Sequence, residues 1–202
     1  MIRVMKTRRA VLCLFVLGLL FALPAAAQTN KTVQIRAIDR YVKALEKFVG
    51  QKKPQLIAAD ISDYNDDRKE RWRKFASEKA LEKFRERTET YTIAYNWRQN
   101  GRLVRSNFTR FSPSGDWAQY DFYSFRADGT LAKLASELRT FEGDLIVLRD
   151  YYFDEKGRQI RRTTRFRDLR SKKPIKKPKD WGGGYDVEIY KSVRRLPFAK
   201  LK

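Results

Sequence analysis

Glycine recurs every fourteen residues, at Gly101, Gly115, Gly129, Gly143 and Gly157. A short fixed period marks one structural unit repeated along the chain. Fourteen residues accommodate one strand of about ten residues and a tight turn. The turn tetrads Arg98-Gln99-Asn100-Gly101, Ser112-Pro113-Ser114-Gly115, Arg126-Ala127-Asp128-Gly129, Thr140-Phe141-Glu142-Gly143 and Asp154-Glu155-Lys156-Gly157 include Asn-Gly and Asp-Gly. These dipeptides are hairpin signals because their residues tolerate positive φ. The pattern predicts an up-and-down antiparallel meander over residues 87–170, in six units.

Two- or four-residue hairpin loops switch the inward parity from one unit to the next. With that rule one face collects Tyr91, Ile93, Tyr95 and Trp97, then Phe108, Arg110, Trp117, Asp121, Tyr123 and Phe125, then Leu134, Leu138, Val147, Arg149, Tyr151 and Phe153. The other face collects Arg105, Asn107, Glu137, Asp150, Arg161, Arg165 and Arg167. A three-residue loop with one bulge is rejected here on the ground that it would mix the two sets.

Ahead of the meander, Ile35, Ile38, Tyr41, Val42, Leu45, Phe48 and Val49 follow helical spacing over residues 31–50, and Gly50 stands where a C′ glycine belongs. Residues 54–61 suggest a short helical turn. A second helix is expected from Asn65-Asp66-Asp67 to about Glu86, with Trp72, Phe75, Leu81 and Phe84 inward and Arg68 and Lys69 on its solvated face. Behind the meander, residues 171–184 form a basic, Pro/Gly-rich linker. Residues 185–193 alternate Tyr185, Val187, Ile189 and Val193 with polar side chains, which predicts a C-terminal strand. The expected fold is α+β: N-terminal helices (31–86) packed on the aromatic face of a curved, half-barrel-like antiparallel sheet, within one domain of residues 28–202.

The first 27 residues read as a signal peptide. Arg3, Lys6, Arg8 and Arg9 precede the apolar run Ala10–Leu23, then Pro24 and Ala25-Ala26-Ala27 before Gln28. Fourteen apolar residues are short for a membrane span of about twenty. The expectation is cleavage after Ala27 and a periplasmic or secreted product. Such a product lacks cysteine, since the single one is Cys13, and the chain has no histidine. Thiol, imidazole and His/Cys metal chemistry are therefore excluded from it. No metal or cofactor is expected.

Loss of the four basic leader residues, with no acids among them, lowers the formal charge from +21 to +17. An exported protein this basic meets anionic lipid, anionic envelope polymer or nucleic acid. Arg161, Arg165 and Arg167 with Lys172, Lys173, Lys176 and Lys177 make the candidate anionic-surface strip. Few aromatics stand beside them to stack on bases, which disfavours nucleic acid.

Polar residues on the aromatic face give the other candidate site. Residues 28 apart share one height on every second strand, about 10 Å apart. Asp121 and Arg149 form such a pair, and Tyr95, Tyr123 and Tyr151 such a row. A two-residue loop puts Ser136 between Asp121 and Arg149 and Thr164 beyond; a four-residue loop puts Leu134 there. Beneath a helical cover, Asp121 and Arg149 either satisfy each other or anchor a pocket. In the second reading Arg149 and Arg110 hold an anionic, amphipathic or lipid-like ligand, and Tyr95, Tyr123, Tyr151, Trp97 and Trp117 line it. No nucleophile elbow, phosphate loop or converging carboxylate pair supports an enzyme. The two functions carried forward are a non-catalytic binding protein and a solid-core basic scaffold or adaptor.

Overall fold

The structure is a computed structural model and describes residues 31–62, 70–183 and 185–201. The signal-peptide pattern of residues 1–27, Cys13, the helix start at Asn65-Asp66-Asp67, and Arg68 and Lys69 lie outside the described residues. The chain forms two compact units, residues 1–39 and 40–202. In the first, residues 31–39 are helical. In the second, the helix α1 comprises residues 40–50.

The second unit is α+β and is built on one antiparallel sheet of nine strands. They are β1 (Leu56–Asp60), β2 (Trp72–Phe75), β3 (Thr92–Gln99), β4 (Arg102–Phe111), β5 (Trp117–Phe125), β6 (Leu131–Thr140), β7 (Leu145–Phe153), β8 (Gln159–Asp168) and β9 (Pro174–Ile175). Their spatial order is β2-β1-β3-β4-β5-β6-β7-β8-β9. The six strands from β3 to β8 are the six units of the glycine repeat. All five repeat glycines take positive φ, between 71° and 83°. At Asn100-Gly101 both central residues have positive φ, which matches the right-handed twist of a two-residue hairpin.

Three helical or linker assignments are corrected by the added strands. Residues 54–61 contain β1, and Trp72–Phe75 is β2, paired with β1. Helix starts only at α2 (Glu78–Arg85), where the Ser77 hydroxyl accepts from Ala80 N at 3.1 Å and Glu78 occupies the positive first turn. The linker contributes β9, which pairs with Phe166 and Arg167 of β8. Gly50 ends α1 without positive φ, so it is no C′ glycine.

The loops also differ from the expected kind. Arg126 N bonds to Thr130 O and Asp154 N to Arg158 O, closing three-residue loops. Each is followed by a register shift, at Ser124/Phe125 and Tyr152/Phe153. The bulge adds back the missing residue, so parity still alternates. The rejected loop type is thus the one used at this end of the sheet, and it preserves the faces from β4 to β8.

In the first hairpin a bulge acts alone. The register shifts between Trp97 and Arg98, so Trp97 pairs with Arg105 and Asn96 with Ser106. One extra residue inverts every side chain beyond it. On β3, Ala94 and Asn96 therefore join the face of Phe108 and Tyr123, while Ile93, Tyr95 and Trp97 turn to the opposite face. Asn96 is fully buried and satisfied: it accepts from Ser106 Oγ at 2.7 Å and donates to Leu56 O and Ala94 O.

The two faces have different covers. On the aromatic face, Phe108, Tyr123, Phe125, Leu134, Tyr151 and Phe153 pack beneath residues 185–201, through Val187, Ile189, Tyr190, Leu196 and Phe198. The expected C-terminal strand is not formed. Among the described residues, 186–190 make no backbone–backbone bond to the sheet; the backbone meets it only at the start of β6, where Leu131 N bonds to Lys191 O and Val193 N to Gly129 O around the Thr130–Ser192 bridge. This stretch is a strap laid across the side chains. The helices lie elsewhere. Leu81 and Phe84 of α2 pack with Ile57, Phe75, Ile93 and Tyr95 on the opposite face, and Glu46 of α1 reaches Arg105 there.

Candidate functional site

A single row of pairs crosses the aromatic face: Ala94, Phe108, Asp121, Ser136, Arg149 and Thr164. Ser136 therefore stands between Asp121 and Arg149, as in the tighter of the two registers considered. The two charged residues nonetheless do not pair. Asp121, 0% exposed, accepts from Arg110 Nη1 and from Gln119 Nε2 at 3.0 and 3.2 Å. Arg149 donates to the Tyr185 carbonyl at 2.9 Å. Burial raises the Asp121 pKa, against the pull of Arg110 and of the neighbouring Ser136 and Gln119. Burial also opposes charge on Arg110, but Asp121, Tyr123 and Glu188 outweigh it and its pKa is raised.

Arg110 extends from this pair to the strap, where Nη2 donates to Glu188 Oε2 at 3.0 Å. Tyr123 donates its hydroxyl to Glu188 O at 2.5 Å, and Tyr190 donates to the Glu188 carboxylate. Burial raises the pKa of both phenols, with Asp121 adding for Tyr123 and Glu188 for Tyr190. The polar residues of the aromatic face are thus attachment points for the chain's own C-terminal segment. The strap fills the space in which a pocket was expected.

The predicted lining residues are dispersed by the same features. Tyr123 and Tyr151 share the aromatic face, with Leu134 between them. Tyr95 lies on the opposite face against α2, removed from the row by the bulge. Trp117 packs at the far end of the aromatic face, edge-on to Tyr185 at 5.3 Å and near Trp181. Trp97 faces the other way and donates its indole N–H to Lys52 O at 2.9 Å.

An open cleft of about 450 Å³ does exist, on the face assigned as polar. Val49, Trp97, Phe122 and Leu148 provide its apolar lining, with Glu46 and Arg105 at its α1 side. Arg105 is only 6% exposed. Its guanidinium stands 5.2 Å from the centre of the Phe122 ring, donates to Ser124 Oγ, and has Glu46 as its ion-pair partner at 3.8 Å. Glu46 is itself 59% exposed. Burial dominates and lowers the Arg105 pKa, with Glu46 and Tyr41 opposing. The other cleft acids are more closely matched: Asp150 lies 3.2 Å from Lys133 and 3.0 Å from Arg165, and Glu137 lies 2.7 Å from Arg139.

Sequence reasoning missed Arg105, Phe122 and Glu46 as a group. Arg105 was placed on its correct face. The missing signal was that α1 covers that face: the helix carries Glu46 and Val49 one turn apart on the side that meets it. Of the predicted basic strip, Arg161, Arg165, Arg167, Lys172, Lys173, Lys176 and Lys177 are all exposed, on β8, β9 and the adjoining turns. Among the described residues no cluster of three or more Asp, Glu, His or Cys could hold a metal ion, and no helix is long and apolar enough to cross a membrane. Comparison with protein families, curated proteins and solved structures found no match to this chain.

Proposed function

We propose that this is an exported, non-catalytic binding protein that takes an anionic amphiphile into the cleft between α1 and the sheet. The reading rests on Arg105, a buried cation beside an amphipathic cleft, whose ion-pair partner is 3.8 Å away and largely in solvent. A buried charge held this loosely gains from a closer anion. The cleft volume falls within the range of small-molecule sites. Trp97, Phe122 and Leu148 would receive the apolar part of the ligand and Arg105 its head group. The leader pattern supports export, and no cofactor is needed for this role.

The site differs from the one expected on the aromatic face, where the strap now lies. Arg149 and Arg110 are accordingly reassigned as strap contacts, and Arg105 takes the anchoring role. The competing reading, a solid-core basic adaptor, draws support from that filled face.

Native mass spectrometry of the protein recovered from its own envelope fraction, with lipid extraction alongside, tests the proposal. The expected result is a bound amphiphile that is lost in Arg105→Met while the urea midpoint is retained. A bare protein mass, together with no heat of binding for dodecyl phosphate, would overturn it in favour of the adaptor.

A further inference from the structure

The cleft does not account for the charge at the far edge of the sheet. Residues 158–179 hold eleven Lys and Arg against a single acid, Asp168. The turn from β8 to β9 brings part of this run to one end of the sheet, where Leu169 N bonds to Asp144 O at 2.7 Å. That contact places the basic turn beside the β6–β7 turn, residues 141–144. Two of the most exposed large apolar side chains flank this end: Phe141, 66% exposed, and Ile175, 41% exposed. Three strand spacings, about 14 Å, separate their strands.

The local acids are already engaged. Asp168 accepts from Ser171 N at 2.6 Å and from Ser171 Oγ at 2.7 Å. Asp144 lies 3.9 Å from Arg170, and Glu142 accepts from the Tyr185 hydroxyl at 3.4 Å. Lys172 folds back to the Leu169 carbonyl. Arg167, Lys173, Lys176 and Lys177 remain as exposed cations around the two apolar residues.

We infer that this end of the sheet is a docking surface for an anionic phospholipid bilayer. Phosphate charge alone would explain the cations with any polyanion. It would not explain Phe141 at a turn tip or Ile175 among lysines, where each exposes apolar surface to water. A lipid interface uses both: head groups meet the cations and the apolar tips enter the acyl boundary. The inference stands independently of the cleft, and either can fail without the other.

The test uses the full chain carrying Cys13→Ser, with one cysteine introduced as Phe141→Cys or, for control, as Ala127→Cys in an exposed turn at the opposite end of the sheet. Each is labelled with an environment-sensitive dye and titrated with vesicles of equal parts phosphatidylglycerol and phosphatidylcholine. The expected result is a blue shift at position 141 alone, reversed by high salt and absent with pure phosphatidylcholine. Adding Lys173→Gln, Lys176→Gln and Lys177→Gln should weaken the response about tenfold or more. Positions 127, 141, 173, 176 and 177 are exposed, so folding is preserved. No shift at 141, an equal shift at 127, or an equal response to neutral vesicles would overturn the inference. The equal shift would assign vesicle binding to the N-terminal apolar segment. Binding of a single-stranded oligonucleotide without any lipid response would reassign the strip to nucleic acid.

Discussion

Arg110 on β4 donates to Asp121 on β5, diagonally across the ladder, and Asp121 is fully buried where they meet. The pair is a joint between sheet and strap, because the second arm of Arg110 holds Glu188. Breaking such a pair from one side leaves an uncompensated charge in the interior. Arg110→Met should therefore cost about 3 kcal/mol of stability near neutral pH. Replacing both partners with apolar residues, as Arg110→Met with Asp121→Leu, should cost much less. Urea unfolding of the three chains checks the asymmetry.

Asp121 also makes a signed prediction for pH. Its pKa is raised by burial, so the folded protein holds the proton to higher pH than the unfolded chain does. Its contribution to stability is fully present below the unfolded carboxylate value, near pH 4, and is lost as pH rises through the folded value. Asp121→Asn removes this dependence. The stability of the variant relative to wild type should rise between pH 4 and pH 7 in parallel denaturant titrations, and a falling difference would contradict the assignment.

The strap should carry core energy as a helix or strand would. Phe198 is almost wholly buried and packs against Trp72 and Phe108, with ring centres 5.5 and 5.8 Å apart. Phe198→Ala should cost about 3–5 kcal/mol, measured by urea unfolding. A loss below about 1 kcal/mol would mean that the strap is only loosely seated.

Two glycines should respond in opposite directions. Gly129 sits at φ 83° in the β5–β6 turn, so Gly129→Ala should cost about 1–2 kcal/mol. Gly50 ends α1 without positive φ, and an added Cβ meets nothing within 4 Å. Gly50→Ala should stabilise by about 0.4–1 kcal/mol, because it narrows the unfolded ensemble. Thermal melts of both variants would separate the effects.

In the cleft, Glu46 competes with any anion for Arg105 across 3.8 Å. Glu46→Gln should tighten dodecyl phosphate binding severalfold, while Arg105→Met weakens it at least tenfold, as read by calorimetry. Equal affinities in all three chains would place the ligand elsewhere.

The residues that carried the sequence reading were those with a local cause. Asn100-Gly101 and Asp128-Gly129 must turn wherever they lie, so the meander and the shared height of Asp121 and Arg149 were legible, whereas Ser136 between them rested on a loop length that the residues left open. The bulge at Trp97/Arg98 was not: it has no glycine to announce it, and a single extra residue sent Tyr95 and Trp97 to the other face. Trp72–Phe75 and the helix after it formed one continuous apolar pattern, and only the cap at Ser77 divides them. The alternation from Tyr185 to Val193 was real but misread. An extended segment shows period two whenever one side is buried, whether its backbone pairs with a strand or lies across side chains. Which face each cover chose depended on contacts such as Glu46–Arg105 and Glu188–Arg110, between residues far apart in sequence.

The strap follows the whole sheet in the sequence, so it is synthesised after every strand. Until residues 185–201 emerge, β3 to β8 can pair through local hairpins, yet Phe108, Tyr123, Phe125 and Tyr151 have no cover. Local pairing is fast and the closing contact is distant, so a sheet that forms before the strap emerges has an open aromatic face. A ribosome stalled shortly before residue 185 would display that face, and a chaperone or a second nascent chain could then occupy the strap's place.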